Sequence, residues 1–256
     1  MLNRPFILLA FLFLTGIIVI SYKIWFGLLV IFLAFLIVHI KFAQSRFLIS
    51  LYVVFLVSFI LFQSTNWLIG QYDISDEWRI LLNRSSLFII VAGLYLTHFF
   101  HKKTISFYHH KPQWNNHIKL PFHSISIFSF WIIGLIVNIA VFTPFVLQQD
   151  KSMLQSIFLF SLLFSTINAF FEEVIWRGIL FSSLQKTVSV TYATIVTSIG
   201  FGLLHLAIGI PLLISLLFSF AGVIYVIIVL KTNSIYPAIL LHFVINVGMV
   251  LSGWIL

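Results

Sequence analysis

The chain contains no cysteine. That excludes disulfides, a thiol nucleophile and cysteine-held metals. Charge is nearly as scarce, at 8% of residues, where a soluble domain carries about 25%. Apolar residues make up 61% of the chain, and the mean hydropathy is +1.15. No soluble core could hide that much apolar surface, so the composition excludes a water-soluble fold and makes the bilayer the solvent. Several protease signatures are also missing. There is no HExxH helix, no Gly-x-Ser ahead of a partner His, and no pair of Asp residues within the apolar runs. There is no low-complexity tract and no convincing internal repeat.

What remains is a succession of long apolar runs. They predict an all-α polytopic helical bundle with spans near 5–22, 24–42, 47–70, 80–100, 124–147, 152–184, 189–208, 211–230 and 235–255, or eight to nine crossings. The sixth run is too long for a simple crossing. It reads as a long tilted helix, or as a span followed by a short buried or interfacial helix. The start, Met-Leu-Asn-Arg-Pro followed by an apolar run from Phe6 to Ile20, resembles a signal peptide without a small-x-small cleavage site, and is read as a retained first span.

The formal net charge of +8 would suggest nucleic acid as the partner of a soluble protein. Here the basic residues lie between apolar runs, at Lys41, Arg46, Lys102, Lys103, Lys111, Lys119, Lys186 and Lys231. The positive-inside rule and anionic headgroups account for them. The expected partner is therefore the lipid bilayer, not nucleic acid. Charge alternation places the N-terminus and the 101–123 connection in the cytoplasm. Trp25, Trp67, Trp78, Trp114, Trp176 and Trp254 fall near span ends, as an aromatic belt requires. The 101–123 connection holds His101, His109, His110, His117 and His123. Such a tract can bind metal, but the simpler reading is a solvated basic loop.

Ionisable groups inside a membrane are costly, by at least ~2.5–3.5 kcal/mol at a helix centre, and mark functional sites. In the second half these are Glu172, Glu173, Arg177, His205 and His242, with Asn168 and Asn246 as neutral companions. On an α-helix Glu173 and Arg177 share a face and can pair. Glu172, about 100° around the helix, is left without a local cation, and Asn168 one turn earlier can hydrogen-bond it. A structural ion pair at a helix end would use the same residues. Phe201 and His205 share a face, with Gly202 allowing close approach of a neighbour; a lone His in an apolar helix is more often a packing residue. His242 and Asn246 project from one face and can hold a metal, orient water or stabilise an oxyanion, although Asn also serves as interhelical glue. If the three stretches pack together, a carboxylate, two imidazoles and an amide converge where water can be activated.

The ordered set Glu172-Glu173-x-x-x-Arg177, Phe201-x-x-x-His205 and His242-x-x-x-Asn246 resembles the EExxxR, FxxxH and HxxxN motifs of the CPBP or ABI family, the CAAX-processing and bacteriocin-processing intramembrane proteases. The likeness covers about residues 155–250, so the chain is divided into 1–150, spans without a recognised motif, and 151–256, the core helices, within one integral membrane unit. The resemblance implies a helical bundle with an intramembrane polar cavity, and an endopeptidase acting on a membrane-associated protein or peptide in what is expected to be a bacterial cell membrane. It implies Glu172 as general base acting on water with His205, Glu173 and Arg177 as a structural or substrate-orienting pair, and His242 and Asn246 as oxyanion donors. The same residues are compatible with a zinc ion on Glu172, His205 and His242 and with a metal-free mechanism.

Two other functions fit the same residues. One is a non-catalytic immunity or partner-binding membrane protein that keeps the motif for stability. The other is a proton-coupled transporter, which the lack of a second motif copy in 1–150 counts against. The expected spans also put the three motifs at unequal depths. Either 174–184 is a separate short helix, or boundaries near 186–211 lie elsewhere and Gly209-Ile210-Pro211 is not a surface turn.

Overall fold

A computed structural model describes residues 4–119 and 121–255. Met1–Asn3, the head of the signal-like start, lie outside the described residues. The fold is all-α. Its helices are α1 (Arg4–Ser21), α2 (Trp25–Lys41), α3 (Arg46–Ile69), α4 (Asp76–Ser85), α5 (Phe88–Phe100), α6 (Ile127–Val146), α7 (Lys151–Glu173), α8 (Ser182–Thr187), α9 (Val190–Leu204), α10 (Leu212–Thr232) and α11 (Tyr236–Leu251). The described β structure is an isolated bridge and one short antiparallel hairpin, β1 (His117–Lys119) with β2 (Ser124–Ser126), in register His117 opposite Ser126. Among the described residues six helical segments are long and apolar enough to cross a membrane, and three shorter apolar helices, Pro5–Ser21, Trp25–Lys41 and Tyr236–Leu251, accompany them. The protein is an integral membrane protein in contact with lipid.

The long sixth run is one helical stretch, Lys151–Thr187. No separate short helix follows it. Instead Val174–Phe181 widen to π-helical pitch before α8 resumes the α-helix. π-Segments are rare and concentrate at functional sites. The turn at Gly209-Ile210-Pro211 stands. A 3₁₀ turn, His205–Ile208, ends on Gly209 at φ 90°, which favours glycine, and α10 starts at Leu212. The run expected at 80–100 breaks between α4 and α5. Ser85 Oγ donates to the Leu81 carbonyl at 2.8 Å, and Ser86 Oγ to the Asn83 carbonyl at 2.7 Å.

The helices form two compact units interleaved in sequence. One comprises Met1–Thr65, Phe88–Phe107 and Ile175–Val226. In it α9 packs against α1 and α8, and α1 against α2. Phe13 stacks on Tyr52 with centroids 4.3 Å apart, and the Tyr52 and Tyr192 hydroxyls share a buried 2.9 Å hydrogen bond. Trp176, expected in an interfacial belt, is instead fully buried here, 5.3 Å from the Phe55 ring. It fits because Gly200 leaves room; a Cβ there would lie 2.6 Å from the indole. Gly200→Ala is therefore expected to destabilise by ~1–3 kcal/mol, the usual cost of overpacking a core. Gly134→Ala, whose Cβ would meet Leu241 at an ordinary 3.6 Å, should be neutral or better. Thermal unfolding of the two variants in one detergent checks this.

The second unit comprises Asn66–Leu87, Tyr108–Val174 and Ile227–Leu256. Here α11 packs on α7 and α6, and α4 on α7. Leu81, Ile157, Phe160, Phe164 and Val250 form the apolar cluster that joins α4, α7 and α11. Part of the histidine-rich connection belongs to this unit and is more ordered than a solvated loop. Gln113 N donates to the Thr232 carbonyl at 2.8 Å, Ile235 N to the Tyr108 carbonyl at 2.9 Å, and Asn116 Nδ2 to the Lys231 carbonyl at 2.7 Å.

Candidate active site

The site in the second unit is built from one polar row on α7 and a shorter one on α11. On α7, Ser161, Ser165, Asn168 and Glu172 follow each other at spacings of three or four, share a face and are all buried. On α11, His242 and Asn246 are one turn apart and also buried. Because α11 packs on α7, the two rows lie within one core. Glu173, adjacent to Glu172, is fully buried as well.

The carboxylates and the imidazole of this unit meet. Glu173 Oε1 accepts from His242 Nδ1 at 3.0 Å. A carboxylate can only accept, so Nδ1 carries a proton, and the ring is oriented with Nε2 toward Glu172, 3.8 Å from its Oε2. On its other oxygen, Oε1, Glu172 has Arg84 Nη1 at 3.9 Å. Glu172 lacks a local cation on its own helix, but α4 supplies a distant one. Glu172 Oε2, Asn168 Oδ1, Ser165 Oγ and Asn246 Nδ2 are buried with no hydrogen-bond partner. An unmet buried polar atom costs ~1–3 kcal/mol.

The remaining motif residues lie in the first unit. The α-helical spacing expected to join Glu173 to Arg177 gives way, directly after Glu173, to π pitch. Arg177 is fully buried. Its guanidinium stands 4.6 Å from the Phe201 ring centroid and 4.9 Å from that of Tyr225, and Nη2 donates to the Gly222 carbonyl at 3.1 Å. Phe201 thereby gains a specific part as one wall of a cation–π slot. His205 opens the 3₁₀ turn after α9. Its Nδ1 donates to the Phe201 carbonyl at 3.0 Å, and its ring stacks on Phe218 with centroids 4.4 Å apart. Gly202 permits the close pass of α10 expected of it, since a Cβ there would strike the Ser215 carbonyl and Ser219.

Sequence reasoning missed three contributors, Arg84, Tyr225 and the Ser161/Ser165 part of the α7 row. Arg84 was discoverable, being a basic residue inside an apolar run. The serines carried no such signal.

Residues 154–248 match the family model described as type II CAAX prenyl endopeptidase, Rce1-like. The likeness to the CAAX proteases is confined to this segment. The match takes in all three motifs, the whole π-segment and the Glu172–Glu173–His242 cluster, and it leaves α1 to α6 outside. That family is one of proteases. No curated protein and no solved structure matches the chain.

The suggestion of zinc was tested against the side chains present. A catalytic zinc site generally needs three protein ligands. Among the described residues no group of three or more His, Asp or Glu is arranged to hold a metal ion.

Proposed function

We propose that this protein is an intramembrane endopeptidase that hydrolyses a peptide bond in a membrane-associated protein or peptide, using water activated by Glu172. The observation that carries the reading is the buried Glu172–His242–Glu173 cluster on α7 and α11, with Glu172 Oε2 unbonded beside His242 Nε2. A carboxylate held like this is suited to take a proton from a water molecule as that water attacks the scissile carbonyl. The resulting oxyanion accepts from Asn246 Nδ2 and from a protonated His242 Nε2. Glu173, bonded to Nδ1, balances the charge of that imidazolium. Glu172 then returns its proton to the departing amine, which closes the cycle. A second role for His205 on the same water rests on the motif resemblance. So does orientation of the substrate by Arg177 with Glu173.

The family likeness supports one substrate class, a lipid-anchored protein cut near its C-terminus, with a leader or bacteriocin-type peptide as the competing choice. In the proposed orientation the N-terminus faces the cytoplasm of a bacterial cell. The test is cleavage by purified protein in proteoliposomes of matched reporters, one bearing a C-terminal isoprenyl-cysteine motif and one a non-lipidated membrane peptide. Cleavage of the lipidated reporter, unchanged after dialysis against a chelator, is the expected result. Loss of activity that zinc restores would overturn the metal-free mechanism. Cleavage of neither reporter by folded protein would overturn the assignment of substrate.

A further inference from the structure

Arg84 lies on α4, outside the segment that matches the protease family. Its side chain is only 16% exposed, although the residue sits in the final turn of a short helix. Leu81, three residues earlier and on the same face, is locked into the apolar cluster with Ile157, Phe160 and Phe164 of α7. Ser86 ends the helix through the Asn83 carbonyl and Asn66 Oδ1. Arg84 is thus held where its Nη1 stands 3.9 Å from Glu172 Oε1. That is an ion-pair distance, too long for a hydrogen bond. The guanidinium Nε is buried and has no hydrogen-bond partner. Arg84 therefore faces the carboxylate as a charge.

We propose that Arg84 is a positioning residue for the hydrolysis, acting through Glu172. The inference rests on the reading of Glu172 as the base. The terminal torsion of a glutamate is broad and nearly two-fold, so a buried carboxylate with one weakly held neighbour could turn freely. Arg84 attracts Oε1 and so presents Oε2 to the space beside His242 Nε2. Because the contact is not a hydrogen bond, it leaves the carboxylate's lone pairs available for water. Without Arg84, the charged partner left to Glu172 among the described residues is His242 in its protonated form, with Nε2 at 3.8 Å. A small rotation then closes the two into a direct bond and takes Oε2 from the water. The loss appears in the chemical step, with substrate binding left as it was.

The test uses the full chain in proteoliposomes. Arg84→Gln and Arg84→Lys are each made in the wild-type and the Glu172→Gln backgrounds, and kcat, KM and the thermal midpoint are measured. Arg84→Gln should lower kcat by roughly 10–100-fold, the scale of a misplaced catalytic group, with KM unchanged, and Arg84→Lys should recover most of the loss. Arg84→Gln should lower the midpoint in the wild-type background and scarcely at all once Glu172 is Gln. A normal kcat in folded Arg84→Gln overturns the proposal. So does a raised KM at normal kcat, which would make Arg84 a substrate contact, and so does an equal midpoint loss in both backgrounds, which would make it a packing residue. Failure of the base reading looks different. In that case Glu172→Gln itself cleaves normally, while the midpoints still report whether the two side chains are coupled.

Discussion

Glu172→Gln is expected to lower kcat by roughly 10²–10⁴-fold, the usual contribution of a positioned general base, while leaving KM close to wild type. The amide is isosteric with the carboxylate and fits the same buried space on α7. It cannot take a proton from water. It also removes the charge that faces Arg84 at 3.9 Å, so a modest change in stability accompanies the loss, and circular dichroism should report an unaltered helical fold. Glu173→Gln is the informative companion. Its oxygen still accepts from His242 Nδ1, but it no longer balances an imidazolium. Activity should fall by less than for Glu172→Gln, and the two losses should not add, because both act on one reacting centre. Rates from a fluorescent reporter in proteoliposomes check the series.

The second large effect is on stability. Arg177→Ala should cost ~3–5 kcal/mol, the range for truncating a large, fully buried side chain. The guanidinium plane is enclosed by the Phe201 and Tyr225 rings at 4.6 and 4.9 Å and bonds the Gly222 carbonyl. Truncation opens a cavity between two aromatic faces and leaves that carbonyl short of a donor. Desolvated cation–π contacts are worth ~2 kcal/mol, so Arg177→Met, which fills the volume without the charge, should recover part of the loss. Arg177→Lys should recover less than its charge suggests, since a compact ammonium lacks the planar, multi-donor head of the guanidinium. Thermal or denaturant unfolding in detergent measures all three. If Arg177→Ala is as stable as wild type, the slot is not a stabilising element.

Much of the fold was legible because the bilayer imposes a simple rule, that a crossing needs about 20 apolar residues. The spans at 24–42, 47–70 and 211–230 reappear as α2, α3 and α10 within two residues of their expected ends. The turn at Gly209 is marked by glycine and proline and separates the 3₁₀ turn from α10 as that signal requires. What failed was local geometry. The π pitch of Val174–Phe181 has no compositional mark. The break at Ser85–Ser86 has no compositional mark either, since hydroxyls bond backwards in the same way inside unbroken helices, as at Ser161 and Thr197.

The site divides in the same way. Glu172, Glu173 and His242 could be nominated because charge inside lipid is costly, and they do share one buried cluster. Their pairing could not be read, since the partner of Glu173 in this cluster lies on α11 and that of Glu172 on α4. Trp176 shows the opposite error. Its position near an expected helix end suggested the interface, but Gly200 on another helix makes the room that buries it. Contacts between helices distant in sequence decide these cases, and no local pattern encodes them.

The central claim is that the chain hydrolyses a peptide bond. The most direct measurement is mass spectrometry of a membrane-anchored reporter after incubation with purified wild-type protein in proteoliposomes, beside Glu172→Gln at equal loading. The account predicts two fragments from the wild type, whose masses sum to that of the substrate plus one water, and intact reporter from the variant. Equal cleavage by both proteins, or intact reporter from folded wild type across the lipidated and non-lipidated reporters, would contradict it.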